Sequence, residues 1–460
     1  MSRIDYHLRS RPRMADETDY SALIHEDRVH RLIYTDPAIF EAEMEKIFGG
    51  VWVYLAHESQ VPNNDDFVLG CLGRRPIIVV RDSQGELRAL FNRCPHRGAT
   101  VCRQPVGSAR TFQCPYHGWS FRNSGTLNGV PWPDGYATDF KDTRFNLAQM
   151  PRVESYRGFI FGTLNLAAPL LTDYLGPARQ PLDEWLDRHP GGVIRLCEAN
   201  RLKFKGNWKL AYDNAADGYH VVFSHRSLLQ MENRLMSEEA KGMAFYKDKP
   251  DDAPMYVHYL GNGHHYKNKR PNICNKDQEV LPGALWEIEG HFPGMEAYEA
   301  RIRDHLGDRA DAALDLACSE PVNINIFPNL SILGNHIQVF QPLAVDETDT
   351  TWFGTAIVDD DGFLEGLADD INAMRMRTQE SFPNFGEVDD LTNFEEIQAG
   401  LHVIEDEWVY MHRGLNLPDR FKHLDDGTVI GPATDEVFMR ETYKVWADLM
   451  TAQPTLALQR

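Results

Sequence analysis

Cys94-Pro95-His96-Arg97-Gly98, with seventeen residues between His96 and the following Cys114-Pro115-Tyr116-His117-Gly118-Trp119, is the stretch from which the rest of the chain is read. Two thiolates and two imidazoles can enclose a tetrahedral metal, so a zinc site is the first reading. Ligand order argues for another. Structural zinc sites usually pair cysteine with cysteine and histidine with histidine along the chain, whereas each half here supplies one of each. A two-iron cluster suits that order, because each loop then gives one sulfur ligand and one nitrogen ligand. Replacing two thiolates by neutral imidazoles removes negative charge and raises the cluster's potential, so such a centre accepts electrons readily.

The surroundings of this frame are strand-like. From Asp66 to about Asn165 short runs at Phe67–Leu72, Pro76–Arg81, Leu87–Asn92, Trp119–Arg122 and Gly158–Leu164 alternate with the breakers Gln84-Gly85 and Ser124-Gly125, which predicts a small all-β domain. Before it, Ile39, Phe40, Met44, Ile47 and Phe48 recur at helical spacing from Pro37 to Phe48, with Thr35 or Asp36 as cap. After it, Pro169 to Gly192, with four prolines and a short acidic helix at Leu182 to Leu186, reads as a passage between domains. A larger α+β region follows. Its predicted strands are Ala199–Phe204, Asn329–Leu333, Ile337–Leu343 and Thr351–Val358, and its helices Leu314–Ala317, Phe363–Arg377 and Leu391–Leu401. Asp248 to Lys276, with Gly261-Asn262-Gly263 and Lys267 to Arg270, reads as a mobile surface loop. The expected division is an N-terminal segment 1–45, a cluster domain 46–165 and a larger domain 166–460, α+β overall.

A second frame lies in that region. Asn207-Trp208-Lys209 opens a run through Tyr212-Asp213-Asn214-Ala215-Ala216-Asp217-Gly218-Tyr219-His220 to His225. Asp217 and His220, three apart, would share a helix face. His220 and His225, five apart, would stand about 140° round from each other on a straight helix. A common metal therefore requires a break, expected after His220 at the β-branched Val221-Val222. Two histidines and one carboxylate on one face of an iron leave positions open for dioxygen and substrate. The carboxylate candidates are Asp389 and Asp390, at the start of a helix whose apolar face is Leu391, Phe394, Ile397 and Leu401. Paired aspartates at a helix start ordinarily act as cap and dipole partner.

CPHRG and CPYHGW resemble the two ligand loops of Rieske domains, and NWK…DN…DGYH…H resembles the catalytic-iron segment of Rieske oxygenase large subunits, particularly the benzoate-type branch. Asp389 to Gln398 resembles that branch's ligand-bearing segment, and Val53 to Gln60 and Phe327-Pro328-Asn329 extend the likeness over most of the chain. The resemblance implies a Rieske β domain beside a catalytic domain built on an antiparallel sheet flanked by helices. It implies a Rieske [2Fe-2S] cluster, with Cys94 and Cys114 on one iron and His96 and His117 on the other. It implies mononuclear Fe(II) on His220, His225 and Asp390, the reverse assignment of Asp389 and Asp390 being open. Asp217 would be the bridge for electrons, joining His220 to the His117 of a neighbouring subunit, hence a ring that is usually a homotrimer. The implied activity is hydroxylation of an aromatic ring with dioxygen and electrons from NAD(P)H, delivered by a reductase or ferredoxin. The implied substrate is a benzoate-like aromatic carboxylate such as benzoate, anthranilate or salicylate, and the implied partner a small β subunit. The chain departs from the pattern at Asp213, where relatives commonly have Glu, and at Gln338, where Arg is expected.

Composition narrows the partners. A formal charge of −21, from 47 basic and 68 acidic residues, opposes binding to nucleic acid or anionic lipid. No stretch is apolar for long enough to span a bilayer, and the arginine-containing start from Met1 to Met14 lacks a signal peptide's apolar core, so a soluble cytoplasmic protein is expected. Seven cysteines, an odd and sparse set, fit a reducing compartment. Phe223, Leu228, Met231, Met236 and Leu333 are candidates for a pocket wall, and Arg226 or Arg234 for receiving a carboxylate. Two rival functions share these motifs: a Rieske monooxygenase or demethylase, and an iron–sulfur electron carrier whose second frame holds no iron.

Overall fold

Ile77-Ile78-Val79-Val80 is β-branched throughout, stiff at χ1 and suited to a pleated surface buried on both sides. In the computed structural model of the protein all four side chains are buried, and Arg75–Arg81 is an interior strand of a four-stranded antiparallel sheet with Asp66–Leu72, Leu87–Phe91 and Val106–Ser108. The structure describes residues 18–189, 191–227, 255–270, 283, 286–287, 292–318, 322–385 and 387–459, the side chains of 222 and 377–385 excepted. Two three-stranded sheets complete the β domain, one of Val53–His57, Arg152–Tyr156 and Phe159–Thr163 and one of Thr111–Gln113, Ser120–Arg122 and Leu127–Gly129. The first Cys–His stretch follows Leu87–Phe91, and the second joins Thr111–Gln113 to Ser120–Arg122, each a loop between strands.

The larger part is built on a nine-stranded antiparallel sheet. Its order is Ile194–Phe204, Glu347–Ile357, His336–Ala344, Leu330–Leu333, Val322–Ile326, His265–Asn268, Tyr256–Tyr259, Val429–Pro432 and Lys422–His423. Helices Trp208–Asn214, Met295–Leu306, Ala310–Ala317, Leu367–Phe385, Glu387–Gly400 and Val437–Thr451 accompany it. The fold class is α+β, as expected. Two of these helices escape the sequence reading, although Tyr443, Trp446, Ala447 and Met450 carry the 3–4 spacing of a buried face.

One expectation is corrected. The stretch read as a mobile surface loop contains the hairpin Tyr256–Tyr259 and His265–Asn268 in the sheet's interior, with Val257, Tyr259, His264, His265, Tyr266 and Lys267 all buried. Gly261, Asn262 and Gly263 have positive φ and close the turn, so the breakers mark a hairpin and not an excursion. The polar sequence misled because His264, His265 and Lys267 are buried polar side chains. Leu228, Met231, Met236, Arg234 and Cys274 lie outside the described residues.

The N-terminal segment is tied to the helix that leads to the second frame. Asp36 caps Pro37–Lys46 by accepting from the Ala38 N–H at 2.7 Å. From that helix Glu43, fully buried, accepts from Lys209 Nζ at 2.6 Å, Trp208 Nε1 at 3.0 Å and Trp446 Nε1 at 2.7 Å. Three donors and an opposite charge offset the cost of burying the carboxylate. Lys209→Met, which strands Glu43 without its cation, is expected to cost ~3–5 kcal/mol, read as a lowered urea midpoint. On the other side, Asn329 binds the backbone of Tyr54 through both amide atoms at 3.0 Å, joining the β domain's Val53–His57 strand to the large sheet.

Candidate metal centres

The two Cys–His loops adopt the same turn. In the first, the Gly98 N–H donates to the Cys94 carbonyl at 2.9 Å and the Cys94 N–H to Ala99 at 2.8 Å; in the second, Gly118 donates to Cys114 at 3.0 Å and Cys114 to Trp119 at 2.8 Å. Gly98 and Gly118 have φ of 80° and 73°, a region that glycine enters without steric cost. The turns set Cys94 and Cys114 in the buried interior and bring the His96 and His117 rings to 4.6 Å between centroids. Burial, together with the adjacent Cys114 sulfur, pushes the Cys94 thiol up to about 11. His96 stacks flat on Trp119 at 4.9 Å, and its Nδ1 is buried with no hydrogen-bond partner among the described residues. A buried polar atom without a partner is costly unless something binds it. The donor set fits a two-iron cluster.

The second frame is assembled from three segments. Helix Trp208–Asn214, capped by Asn207 accepting from the Lys209 N–H, ends before Asp217, and a single turn, Val221–Ser224, has His220 at its start and His225 at its end. Asp217 and His220 therefore do not share a helix face, and the break falls before His220 rather than after it. The cause is local. The Gly218 N–H donates to Ala433 at 2.8 Å, and a Cβ at Gly218 would stand 3.0 Å from the Ala433 Cβ, while Asp217 Oδ1 accepts from the Tyr219 N–H at 2.6 Å. An Asx turn and a close backbone approach redirect the chain.

Helix Glu387–Gly400 brings up the carboxylates. Ligand atoms of His220, His225 and Asp390 all lie within 4.8 Å of one another. Asp390 Oδ1 is 3.7 Å from His220 Nε2 and 3.2 Å from His225 Nε2, and its Oδ2 accepts from Asn214 Nδ2 at 2.9 Å. Asp389 Oδ2 stands 3.6 Å from His225 Nδ1. Because the helix begins at Glu387, Asp389 lies inside the first turn and is not its cap. His220 Nδ1 is 3.1 Å from Asp217 Oδ2, so donation there leaves Nε2 with its lone pair on the Asp390 side. Burial alone would raise the Asp217 carboxyl, but His220, the Tyr219 N–H and Lys267 together hold it below the usual carboxylate range. Two imidazoles and one carboxylate converging in this way suit a mononuclear iron with open positions.

Comparison with known proteins agrees with both centres. Residues 51–151 match the Rieske [2Fe-2S] domain, and residues 194–452 match the ring hydroxylating alpha subunit catalytic domain. The chain belongs to the ring-hydroxylating oxygenase large subunits. The large subunit of 2-halobenzoate 1,2-dioxygenase from Burkholderia cepacia is 32% identical over 84% of this chain and 80% of its own length. That of anthranilate 1,2-dioxygenase from Acinetobacter baylyi is 32% identical over the same shares. Among solved structures, naphthalene 1,2-dioxygenase from Rhodococcus sp. bound to indole superposes with a TM-score of 0.71 at 28% identity, over 93% of this chain and 95% of that one. The oxygenase subunit is thus an oxidoreductase whose cofactors are a Rieske [2Fe-2S] cluster and a mononuclear iron. Its family works with a reductase or ferredoxin and often with a β subunit. Among the described residues no helix of this oxygenase subunit is long and apolar enough to cross a membrane.

Several contacts of the oxygenase subunit were not foreseen. Asn214, inside the quoted run, holds the second oxygen of Asp390. Asp213 Oδ2 accepts from Tyr34 Oη at 3.0 Å and Tyr443 Oη at 2.7 Å, joining segments far apart in sequence. Phe223 and Arg226 are both exposed. Burial pushes the Asp213 carboxyl up to about 7, although both tyrosine hydrogen bonds pull it down. The folded state then keeps a proton that the unfolded chain releases in the ordinary carboxylate range. Stability falls as pH rises from that range through about 7 and levels off above. Asp213→Asn is expected to flatten this slope, measured as urea midpoints between about pH 5 and pH 8.

Proposed function

We propose that the chain is the catalytic subunit of a terminal oxygenase that hydroxylates a small, substituted aromatic ring, with Cys94, His96, Cys114 and His117 holding the cluster and His220, His225 and Asp390 the iron. The observation that carries this reading is the convergence of His220, His225 and Asp390 within 4.8 Å in a chain that also presents two matched Cys–His turns. When bound, the cluster supplies single electrons and the iron the site where dioxygen is activated. Asp217 keeps His220 in one tautomer and orientation, and we assign it the link from His220 to the His117 of a neighbouring subunit. Asn214 fixes Asp390 by one oxygen so that the other faces both imidazoles. This reading includes the division at 46–165 and 166–460, with the first 45 residues on the catalytic part, a trimeric ring of large subunits, a reductase or ferredoxin as donor, and a small β subunit.

The names of the relatives, a halobenzoate and an anthranilate oxygenase, support a benzoate-sized ring, and their shared carboxyl group supports an aromatic carboxylate. The test is metal content with product analysis. About three irons per chain, and two labelled oxygen atoms from dioxygen in the ring product, are expected. About two irons and no product would make the protein an electron carrier, and a single inserted oxygen would make it a monooxygenase.

A further inference from the structure

Five residues face one another in successive strands of the large sheet. His265 pairs with Asn325, Asn325 with Ser331, Ser331 with Gln338, and Gln338 with Trp352. Directly opposed residues of antiparallel strands share a face, so these form one row across five strands. All five are more than nine-tenths buried. Buried polar side chains ordinarily find partners. Yet both ring nitrogens of His265 and both amide atoms of Asn325 have no hydrogen-bond partner among the described residues, and neither has Oδ1 of Asn323, two positions along the same face.

This face is turned toward the metal-bearing segments. The Tyr212 ring lies 4.9 Å from His265, Asn323 Nδ2 donates to the Ala215 carbonyl at 2.8 Å, and Lys267 Nζ donates to the Asp217 carbonyl at 3.1 Å. At the other end Gln338 Nε2 donates at 3.3 Å to Glu387 Oε1, a buried carboxyl one turn before Asp390 in the same helix. The row thus runs beneath the candidate iron site, from the Asp217–His220 segment to the Asp390 helix.

We propose that His265, Asn325 and Gln338, backed by Glu387, determine specificity, selecting an aromatic ring whose substituent is neutral and both donates and accepts hydrogen bonds, such as a carboxamide or an amino group. The proposal rests on the ring-hydroxylating reading and replaces the carboxylate drawn from the relatives' names. Amide side chains and a neutral imidazole each donate and accept, so such a substituent satisfies them in either orientation. Burial, with His264 and Lys267 adding to it, pushes the His265 imidazole down to about 3, so it is neutral near pH 7. An ionised carboxylate only accepts, so it leaves the acceptor atoms of Asn325 and His265 unpaired, and burial itself opposes its charge. Lys267, a cation on the same face, is held at the Asp217 carbonyl. A plain hydrocarbon ring would leave the amide of Asn325 and the imidazole of His265 unpaired, the situation that gives polar sites their discrimination.

The test offers benzamide, aniline, benzoate and toluene to the holoenzyme with its electron donor, measuring product-coupled oxygen uptake, and measures the binding of each by calorimetry. Benzamide and aniline are expected to exceed benzoate and toluene by at least about tenfold in kcat/KM and in affinity. Asn325→Leu and Gln338→Leu, with iron content unchanged, should each lower the benzamide-to-toluene ratio about tenfold. Preference for benzoate or toluene overturns this inference and leaves the ring-hydroxylating reading standing, as does a ratio that neither variant moves. Failure of the iron-loaded enzyme to oxygenate any of the four overturns the reading, and the inference with it.

Discussion

His220→Ala is expected to leave the visible spectrum of the iron–sulfur cluster intact while the mononuclear iron is lost and turnover falls below about one per cent of the parent. The magnitude follows from comparison with outer contacts. Losing a partner that merely orients a metal ligand typically costs about 10–100-fold in affinity or activity, and losing a ligand itself exceeds that. His220 is one of three converging groups, and Asp390 Oδ1 faces both His220 and His225. With one imidazole gone, a histidine and a carboxylate remain, too few to hold iron on one face. The cluster loops belong to different sheets and share no hydrogen bond with this segment among those described, so their spectrum should persist. Metal analysis and the absorption spectrum on one sample check both halves, and loss of the cluster spectrum would sink the division into two centres.

Asp217→Asn should act differently, keeping both metals and losing transfer between them. Its carboxylate meets His220 Nδ1 at 3.1 Å while its other oxygen accepts from Tyr219, so an amide fits the same space. An amide carries no charge, and the His220 ring would lose its anionic partner. Steady-state turnover is expected to fall about 100-fold, the upper end for such contacts, with close to parental iron content. Stopped-flow oxidation of the pre-reduced cluster in the presence of substrate and dioxygen would show whether electron exit has slowed. A parental rate of cluster oxidation would remove Asp217 from the electron route.

How far the sequence reaches differs between the two centres, and the difference is physical. In the cluster loops each Cys–Pro–x–His or Cys–Pro–His motif carries its own glycine, and the turn it forms is made of backbone bonds within six residues. Nothing distant is needed, so spacing and ligand order are sufficient to read it. The α+β class is equally legible, because Ile77 to Val80 and the runs at Ile337–Leu343 and Thr351–Val358 state their strands locally.

The second centre is decided by contacts between segments far apart in the chain. That Asp217 and His220 meet across a turn depends on Gly218 lying against Ala433, more than two hundred residues on. That Asp390, and not merely one of two adjacent acids, has an oxygen before both imidazoles depends on Asn214 holding its other oxygen. Helical periodicity predicts neither, since it describes one element and not the angle at which two elements meet. The polar row under the site is the extreme case: His265, read as part of a surface loop, is buried because strand pairing places it opposite Asn325 in the middle of nine strands. Sequence by itself determined which chemistry the chain can hold, because ligand type and short spacing are local properties; the tertiary structure alone decided which ligands converge and what kind of surface lies beneath them, because those depend on the register of strands and the packing of helices remote in sequence.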